Sequence, residues 1–219
     1  MRLFEYLKYL KIHVSKEIKL LEFQEKWRDI NKHNNTIAGR LFPPDKVSVG
    51  CYSYGTLNIL SYGNNEEKLT IGNYCSIAGG TTFILSGEHD YKRISTFPFS
   101  KVVLNGDVEA ICKGPIIVED DVWIGHACTI LSGVTIGKGA VIGAGSIINK
   151  DIPPYSIYAG GRIVKKRFSD EIIQKLSNIN LQVMDELQIS ELINVLETEV
   201  TEDNIDCILN SIHNLGEEL

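Results

Sequence analysis

A chain of 219 residues can bury one good core and carry a small appendage, but is too short for two large domains. Its 22 basic and 28 acidic residues leave a formal charge of −6, which excludes a sequence-independent nucleic-acid binder that needs a basic face. Five cysteines (Cys51, Cys75, Cys112, Cys128 and Cys207), odd in number and widely spaced, form no paired metal-type motif and read as reduced thiols.

Residues 2–33 place Leu3, Tyr6, Leu7, Leu10, Val14, Ile18, Leu21 and Trp27 at mostly helical spacing. One or two amphipathic helices are expected, capping the open end of whatever follows. Glu5, Lys8 and Lys11 interrupt any membrane-length apolar run, and Glu5, Glu17 and Glu22 oppose a membrane-surface role. Membrane association is not expected and a cytoplasmic location is. Between Pro43 and Gly63 the chain turns β-branched and aromatic with punctuating glycines, the mark of short strands. Ile71, Ile77 and Phe83 then step by six, with Leu69, Cys75 and Thr81 two residues earlier in each unit.

Residues 86–113 break that step and contain His89, Tyr91, Phe97, Pro98 and Phe99, a composition too aromatic for a disordered tether. A long excursion inside a repeat fold points to a folded loop beside a site. The step resumes at Val118, Ile124, Ile130, Ile136, Ile142 and Ile148, accompanied by Ile116, Val122, Cys128, Val134, Ala140 and Ser146. Gly125, Gly137 and Gly143 each follow a key position and are expected where a bend needs an unusual backbone angle. A period of six is neither helical nor plain alternation; it reads as a short strand plus a tight corner, stacked into a parallel β-helix. After Pro153 and Pro154 the repeat ends, Arg162 to Phe168 lead out of it, and helical spacing follows at Ile172, Ile173, Leu176, Ile179, Val183, Met184 and Leu187, then weakly over 189–196 and 205–215. The expected organisation is an N-terminal helical segment (1–40), a β-helix (41–167) with its inserted loop, and a C-terminal helical tail (168–219).

This repeat resembles the hexapeptide-repeat acyltransferases. The stretches G-P-I-I-V-E-D-D-V-W-I-G at 114–125 and G-A-G-S-I-I-N-K-D-I-P-P-Y-S-I at 143–157 are similar to the xenobiotic and polysaccharide O-acetyltransferase branch. The resemblance implies a mainly β protein, a left-handed β-helix of three-sided coils, with acetyl-coenzyme A (acetyl-CoA) as co-substrate. It also implies a homotrimer whose grooves between prisms hold that co-substrate.

His89 is the candidate catalytic residue. An imidazole titrating near pH 6.5 can take a proton from an acceptor hydroxyl at neutral pH and return it to a departing thiolate. The branch it resembles carries its base as a histidine followed, after six further residues, by Thr-Phe-Pro-Phe; His89 and Thr96-Phe97-Pro98-Phe99 keep that interval. His13, His33 and His213 fall in helical or terminal segments and suit packing or solvent-exposed roles. His126 stands alone in W-I-G-H-A-C, without the second histidine that a shared zinc site would need, so no metal is expected. No G-x-S-x-G elbow is present, which argues against a covalent acyl-enzyme. Carried over position by position, the resemblance assigns co-substrate contacts to Trp123, Ala144, Asn149, Lys150, Arg162 and Lys165. Lys150, Arg162, Lys165, Lys166 and Arg167 also concentrate positive charge suited to phosphates in an otherwise acidic chain.

For the acceptor, the polar run Asp90-Tyr91-Lys92-Arg93 after His89 suits a polyhydroxylated molecule better than a flat apolar drug. The stretch K-W-R-D-I-N-K-H-N-N-T at 26–36 resembles the extension of acetyltransferases in capsule and O-antigen pathways. The reading is acetyl transfer to a sugar hydroxyl in surface polysaccharide biosynthesis. The alternatives are an antibiotic acetyltransferase of the chloramphenicol or streptogramin kind, and a non-catalytic β-helix scaffold.

Overall fold

The structure, a computed structural model, describes all residues except 1, 108–109, 178, 180–183 and 218–219. Val183 therefore lies outside the described residues, and for Leu3, His213 and Leu215 only the backbone is described. The chain forms two compact units, Met1–Lys165 and Lys166–Leu219.

The first unit is a left-handed, three-sided parallel β-helix. Its strands run β1 (Asn35–Ala38), β2 (Val47–Val49), β3 (Tyr54–Leu60), β4 (Leu69–Ile71), β5 (Ser76–Ile77) and β6 (Thr82–Ile84). After the insertion come β7 (Ile116–Val118), β8 (Trp123–Ile124), β9 (Thr129–Leu131), β10 (Thr135–Ile136), β11 (Val141–Ile142), β12 (Ile147–Ile148), β13 (Ser156–Ala159) and β14 (Arg162–Lys166). One face stacks β2, β4, β7 and β10; a second stacks β1, the start of β3, β5, β8, β11 and β13; the third stacks the end of β3, β6, β9 and β12. Val118 pairs with Ile136, Ile124 with Ile142 and Ile130 with Ile148, so one coil is eighteen residues, or three hexads.

Each key aliphatic points inward. Val118, Ile124, Ile130, Ile136, Ile142 and Ile148 are at most 1% exposed, and the residues two earlier line the same interior. Burying a column of isoleucines at about 2 kcal/mol each is what makes so short a strand, two or three residues long, hold its place. The glycines after the key positions have a different reason from the one expected. Gly125, Gly137 and Gly143 are not among the residues with positive φ; a Cβ at Gly125 would come within 2.7 Å of Ala144 N, and one at Gly137 within 2.5 Å of Pro154 N. They permit coils to stack closely. The left-handed backbone falls two residues later, at Ala127, Gly139 and Gly145.

The N-terminal segment is one helix, α1 (Arg2–Ile30), and only its last turns cap the prism. Trp27 is buried, donates from its indole N–H to Thr36 Oγ1 at 3.1 Å and packs edge-on against Phe42, as does Phe23. Leu7, Leu10, Val14, Ile18 and Leu21 lie on another arc, roughly 140° round the helix at 100° per residue, and are exposed. The capping expectation therefore holds for Trp27, which Phe23 joins, and not for Leu7, Leu10, Val14, Ile18 and Leu21. No helix among the described residues is long and apolar enough to cross a membrane.

The third and first faces meet at the edge that carries the departures from the repeat. From Ile130 to Ile136 that corner takes the regular six residues. From Ile59 to Ile71 it takes twelve, and from Phe83 to Val118 thirty-five, an excess of twenty-nine. Both strands that flank the large excursion keep their register, Phe83 against Ile130 and Val118 against Ile136.

In the second unit α2 (Asp170–Ser177) stops before Ile179, so the expected helical run over 172–187 is cut short. Then α3 (Glu186–Leu196) opens on a capping box of Asp185 and Gln188, and α4 (Ile205–Glu217) follows. Ahead of these helices, the lead-out from Arg162 forms the exposed strand β14.

Candidate active site

His89 sits at the start of the excursion, where the chain has just left β6. Its imidazole is exposed, and Nδ1 lies 2.7 Å from the carbonyl oxygen of Thr96. A carbonyl can only accept, so Nδ1 carries the proton in the neutral ring and Nε2 keeps a free lone pair. That is the tautomer a general base needs. The seven-residue interval thus has a physical content: Thr96 supplies the oxygen that orients the ring.

The rest of the loop is ordered by its own contacts. Asp90 accepts from the Lys92 N–H at 3.0 Å and pairs with Arg93 at 3.2 Å, closing a turn just after the histidine. Ser95 Oγ accepts from the Phe97 N–H, and the Phe97 and Phe99 rings meet edge to face at 4.9 Å. A short helical turn, Phe99–Val102, follows. Tyr91, Ile94, Phe97, Phe99, Val102 and Leu104 are all exposed, so the loop presents more apolar surface than its charged run suggested.

The other predicted residues lie in separate places on edges, a face and the last strand. Asn149 and Lys150 form the corner from the third face to the first, the same edge that carries the His89 loop, one coil beyond the Ser132 turn on which Lys113 rests. Trp123 is 56% exposed on the outside of the second face, in register with Ser76 and Val141. Ala144 lies at the corner from the second face to the third, beside His126, whose carbonyl accepts from Gly145 N–H at 2.7 Å. Arg162 and Lys165 are exposed along β14. One chain therefore brings His89, Asn149 and Lys150 to one edge, and Trp123, His126 and Ala144 to another part of the surface. Lys150, Arg162 and Lys165 are paired with no carboxylate among the described residues, whereas Lys166 is paired with Asp170. Among the described residues no three His, Cys, Asp or Glu side chains come together as a metal site would require.

Two buried features escaped the sequence reading. Glu67 is 3% exposed beneath the loop, with Tyr62, Ser61, Ser86 and Lys46 all donating to its carboxylate. Burial alone would raise its pKa, but these four hydrogen bonds outweigh that and bring it down to about 2. Flanked by Glu66 and Lys68, it has no local signal that separates it from a solvated glutamate. Asn64, also buried, donates to the Ala110 carbonyl at 2.8 Å.

Residues 115–150 match the family of bacterial transferase hexapeptide (six repeats), and this segment is a hexapeptide transferase repeat. A chloramphenicol acetyltransferase of Klebsiella aerogenes is 40% identical over 122 residues, which cover 52% of this chain and 58% of that protein. A probable macrolide acetyltransferase of Lysinibacillus sphaericus is 40% identical over 119 residues, covering 50% of this chain and 66% of that protein. The chain thus spans somewhat less than two thirds of the length of these relatives. Among solved structures, a hexapeptide-repeat acetyltransferase from Vibrio cholerae aligns with 26% identity and a TM-score of 0.49, over 75% of this chain and 90% of that one.

Proposed function

We propose that this hexapeptide-repeat protein is an acetyl-CoA-dependent O-acetyltransferase with His89 as its general base. The observation that carries the reading is the Nδ1 contact to Thr96, which in the neutral ring leaves the Nε2 lone pair free on an exposed side chain. Nε2 takes the proton of the acceptor hydroxyl as its oxygen attacks the thioester carbonyl, and returns that proton to the departing thiolate. A backbone N–H at a coil corner holds the developing oxyanion, a contribution of about 3 kcal/mol in comparable sites. The relatives named as chloramphenicol and macrolide acetyltransferases support acetyl transfer as the reaction.

The acetyl donor fits the exposed, carboxylate-free cations Lys150, Arg162 and Lys165, which would meet its phosphates, with Asn149 nearby and with Trp123 and Ala144 against its pantetheine arm. Because those residues occupy two regions of one prism, a complete site calls for the edge of one subunit to face the surface of the next, and a homotrimer closes that arrangement. Light scattering that finds an active monomer would remove this part of the reading. The location is cytoplasmic, where the donor is made.

The acceptor we favour is a sugar hydroxyl of a surface polysaccharide precursor, on the strength of the Asp90 to Arg93 turn beside His89. A second reading, a drug hydroxyl, is supported by the names of the relatives and by the apolar residues the loop exposes. Free-thiol release from acetyl-CoA, run against sugar nucleotides, oligosaccharides, chloramphenicol and macrolides, separates the two. Turnover of a drug with no sugar in the panel acetylated would overturn the sugar; no thiol release above background with any acceptor would point to the scaffold.

A further inference from the structure

The edge that carries the His89 loop is widened twice, and the two widenings hold each other. The six extra residues between Ile59 and Ile71 build the turn at 61–68, and the loop rises from the coil directly beside it. Glu67 fills that turn. Its Oε1 accepts from the Tyr62 N–H at 2.8 Å and from the Ser86 hydroxyl; its Oε2 accepts from the Ser61 hydroxyl at 2.5 Å and from Lys46 Nζ at 3.2 Å. All four lone-pair directions of the carboxylate are used. Ser86 is the rising stem of the loop, three residues before His89. The returning stem is held by the same turn, through Asn64 Nδ2 to the Ala110 carbonyl, and Lys46 ties the two clamps by donating also to the Asn64 carbonyl at 2.5 Å. Above them the stems join each other, Glu88 bridging to Ile111 and pairing with Lys113 at 2.7 Å. From Asp90 to Asp107 the described hydrogen bonds stay within the loop. The place of the imidazole relative to the prism is therefore set at the stems.

A buried ionised carboxylate is a costly way to fill a turn whose counterparts elsewhere on the prism are filled by small or aliphatic groups. Its return here is geometric: charge-assisted bonds are short and directional, and they fix a stem that a greasy contact would let slide. We propose that Glu67 is a positioning residue for the catalytic base, acting through the Ser86 hydroxyl to fix the stem from which His89 projects. It touches neither acceptor nor donor. Its effect on rate rests on the reading of His89 as the base; the clamp itself does not.

The test is hydrogen exchange on the full chain, together with thiol release from acetyl-CoA, for Ser86→Ala and Glu67→Gln. Protection of the amides at 86–89 and 110–112 should fall by about tenfold or more, the size of one lost charge-assisted bond, while the strands from Trp123 to Ile148 keep theirs. The turnover number should fall by roughly tenfold with KM for acetyl-CoA changed less than about twofold, and Glu67→Gln should add nothing in a His89→Ala background. Unchanged stem protection in both variants overturns the clamp. An equal, multiplying loss in the His89→Ala background overturns the positioning role and leaves Glu67 as a general stabiliser. Should Glu67→Gln not fold, Ser86→Ala, which leaves the carboxylate three donors, decides both questions by the same two measurements. If stem protection falls as expected but His89→Ala turns over normally, the clamp stands and the base assignment is what fails.

Discussion

Replacing His89 tests the chemistry with little risk to the fold. The ring is exposed and makes one described hydrogen bond, Nδ1 to the Thr96 carbonyl, in a site open to water, so its loss should cost about 1 kcal/mol or less of stability. Its loss as a base should cost far more in rate: general-base contributions run from about 100-fold to 10,000-fold, and 100-fold is about 2.7 kcal/mol of barrier. We expect His89→Ala to lower the turnover number by at least ~100-fold with KM for acetyl-CoA nearly unchanged, because no donor contact is assigned to the ring. His89→Asn sharpens the test. Its amide nitrogen can stand where Nδ1 stands and still donate to Thr96, but nothing remains where Nε2 was. If the ring matters as a base, Asn is as slow as Ala; if it matters only as a tether for the loop, Asn is close to wild type. The assay is thiol release followed with a disulfide reagent, alongside thermal unfolding to confirm that both variants are folded. Near-normal turnover in either variant would refute the assignment.

The hexad column makes a stability prediction: Ile130→Ala, at a fully buried position, should cost roughly 3–5 kcal/mol in chemical denaturation, whereas Ile147→Ala, 61% exposed on the outer face, should change stability by less than about 0.5 kcal/mol. Glu67 predicts an acid limb. Its pKa is lowered in the fold to about 2 from an ordinary 4.5, so its contribution, of order 3 kcal/mol, is fully present above pH 4.5 and is lost as pH falls from there through 2; the thermal midpoint of Glu67→Gln should lack that part of the slope. Burial pushes the Cys75 thiol up to about 11 and also raises Cys128, so a thiol reagent at pH 8 should label exposed Cys207 at once and these two only on unfolding, as peptide mass spectrometry would show. Donor affinity should weaken when the ribose 3′-phosphate is removed, and Lys165→Gln should abolish that difference; equal affinity of wild type for coenzyme A and its dephospho form would take the cations out of the site.

The prism was readable because its rule is local and repeated. Each hexad puts one large aliphatic at a fixed place, so Val118 to Ile148 announce both the interior and the coil length before any contact is known. The contact between His89 and Thr96 is local in the same way, since the oxygen that orients the ring lies seven residues away along the chain. What failed were features that depend on residues distant in sequence. The glycines after the key positions are demanded by the coil above, Ala144 over Gly125 and Pro154 over Gly137, not by their own backbone angles. In α1 two apolar arcs overlap in the sequence pattern, and which of them faces the prism is decided by Phe42 and Thr36, beyond the helix end. Glu67 draws two of its four donors from Lys46 and Ser86, positions that only the stacking of coils brings beside the 61–68 turn.

That stacking also explains why the candidate base stands on an edge and not on a face. A strand within a face bonds to the coils on both sides, so extra residues there would break two ladders. A corner carries few ladder bonds, and the register of Phe83 with Ile130 and of Val118 with Ile136 survives an excess of twenty-nine residues between them. The added loop-closure entropy is small, about 0.6 kcal/mol for each doubling of length. An excursion so lightly penalised is also lightly constrained, and a base must be held to a fraction of an ångström to act on one hydroxyl. The constraint has to come from the neighbouring coil on the same edge. The turn at 61–68 is lengthened at that point, and it places Glu67 and Asn64 against the two stems.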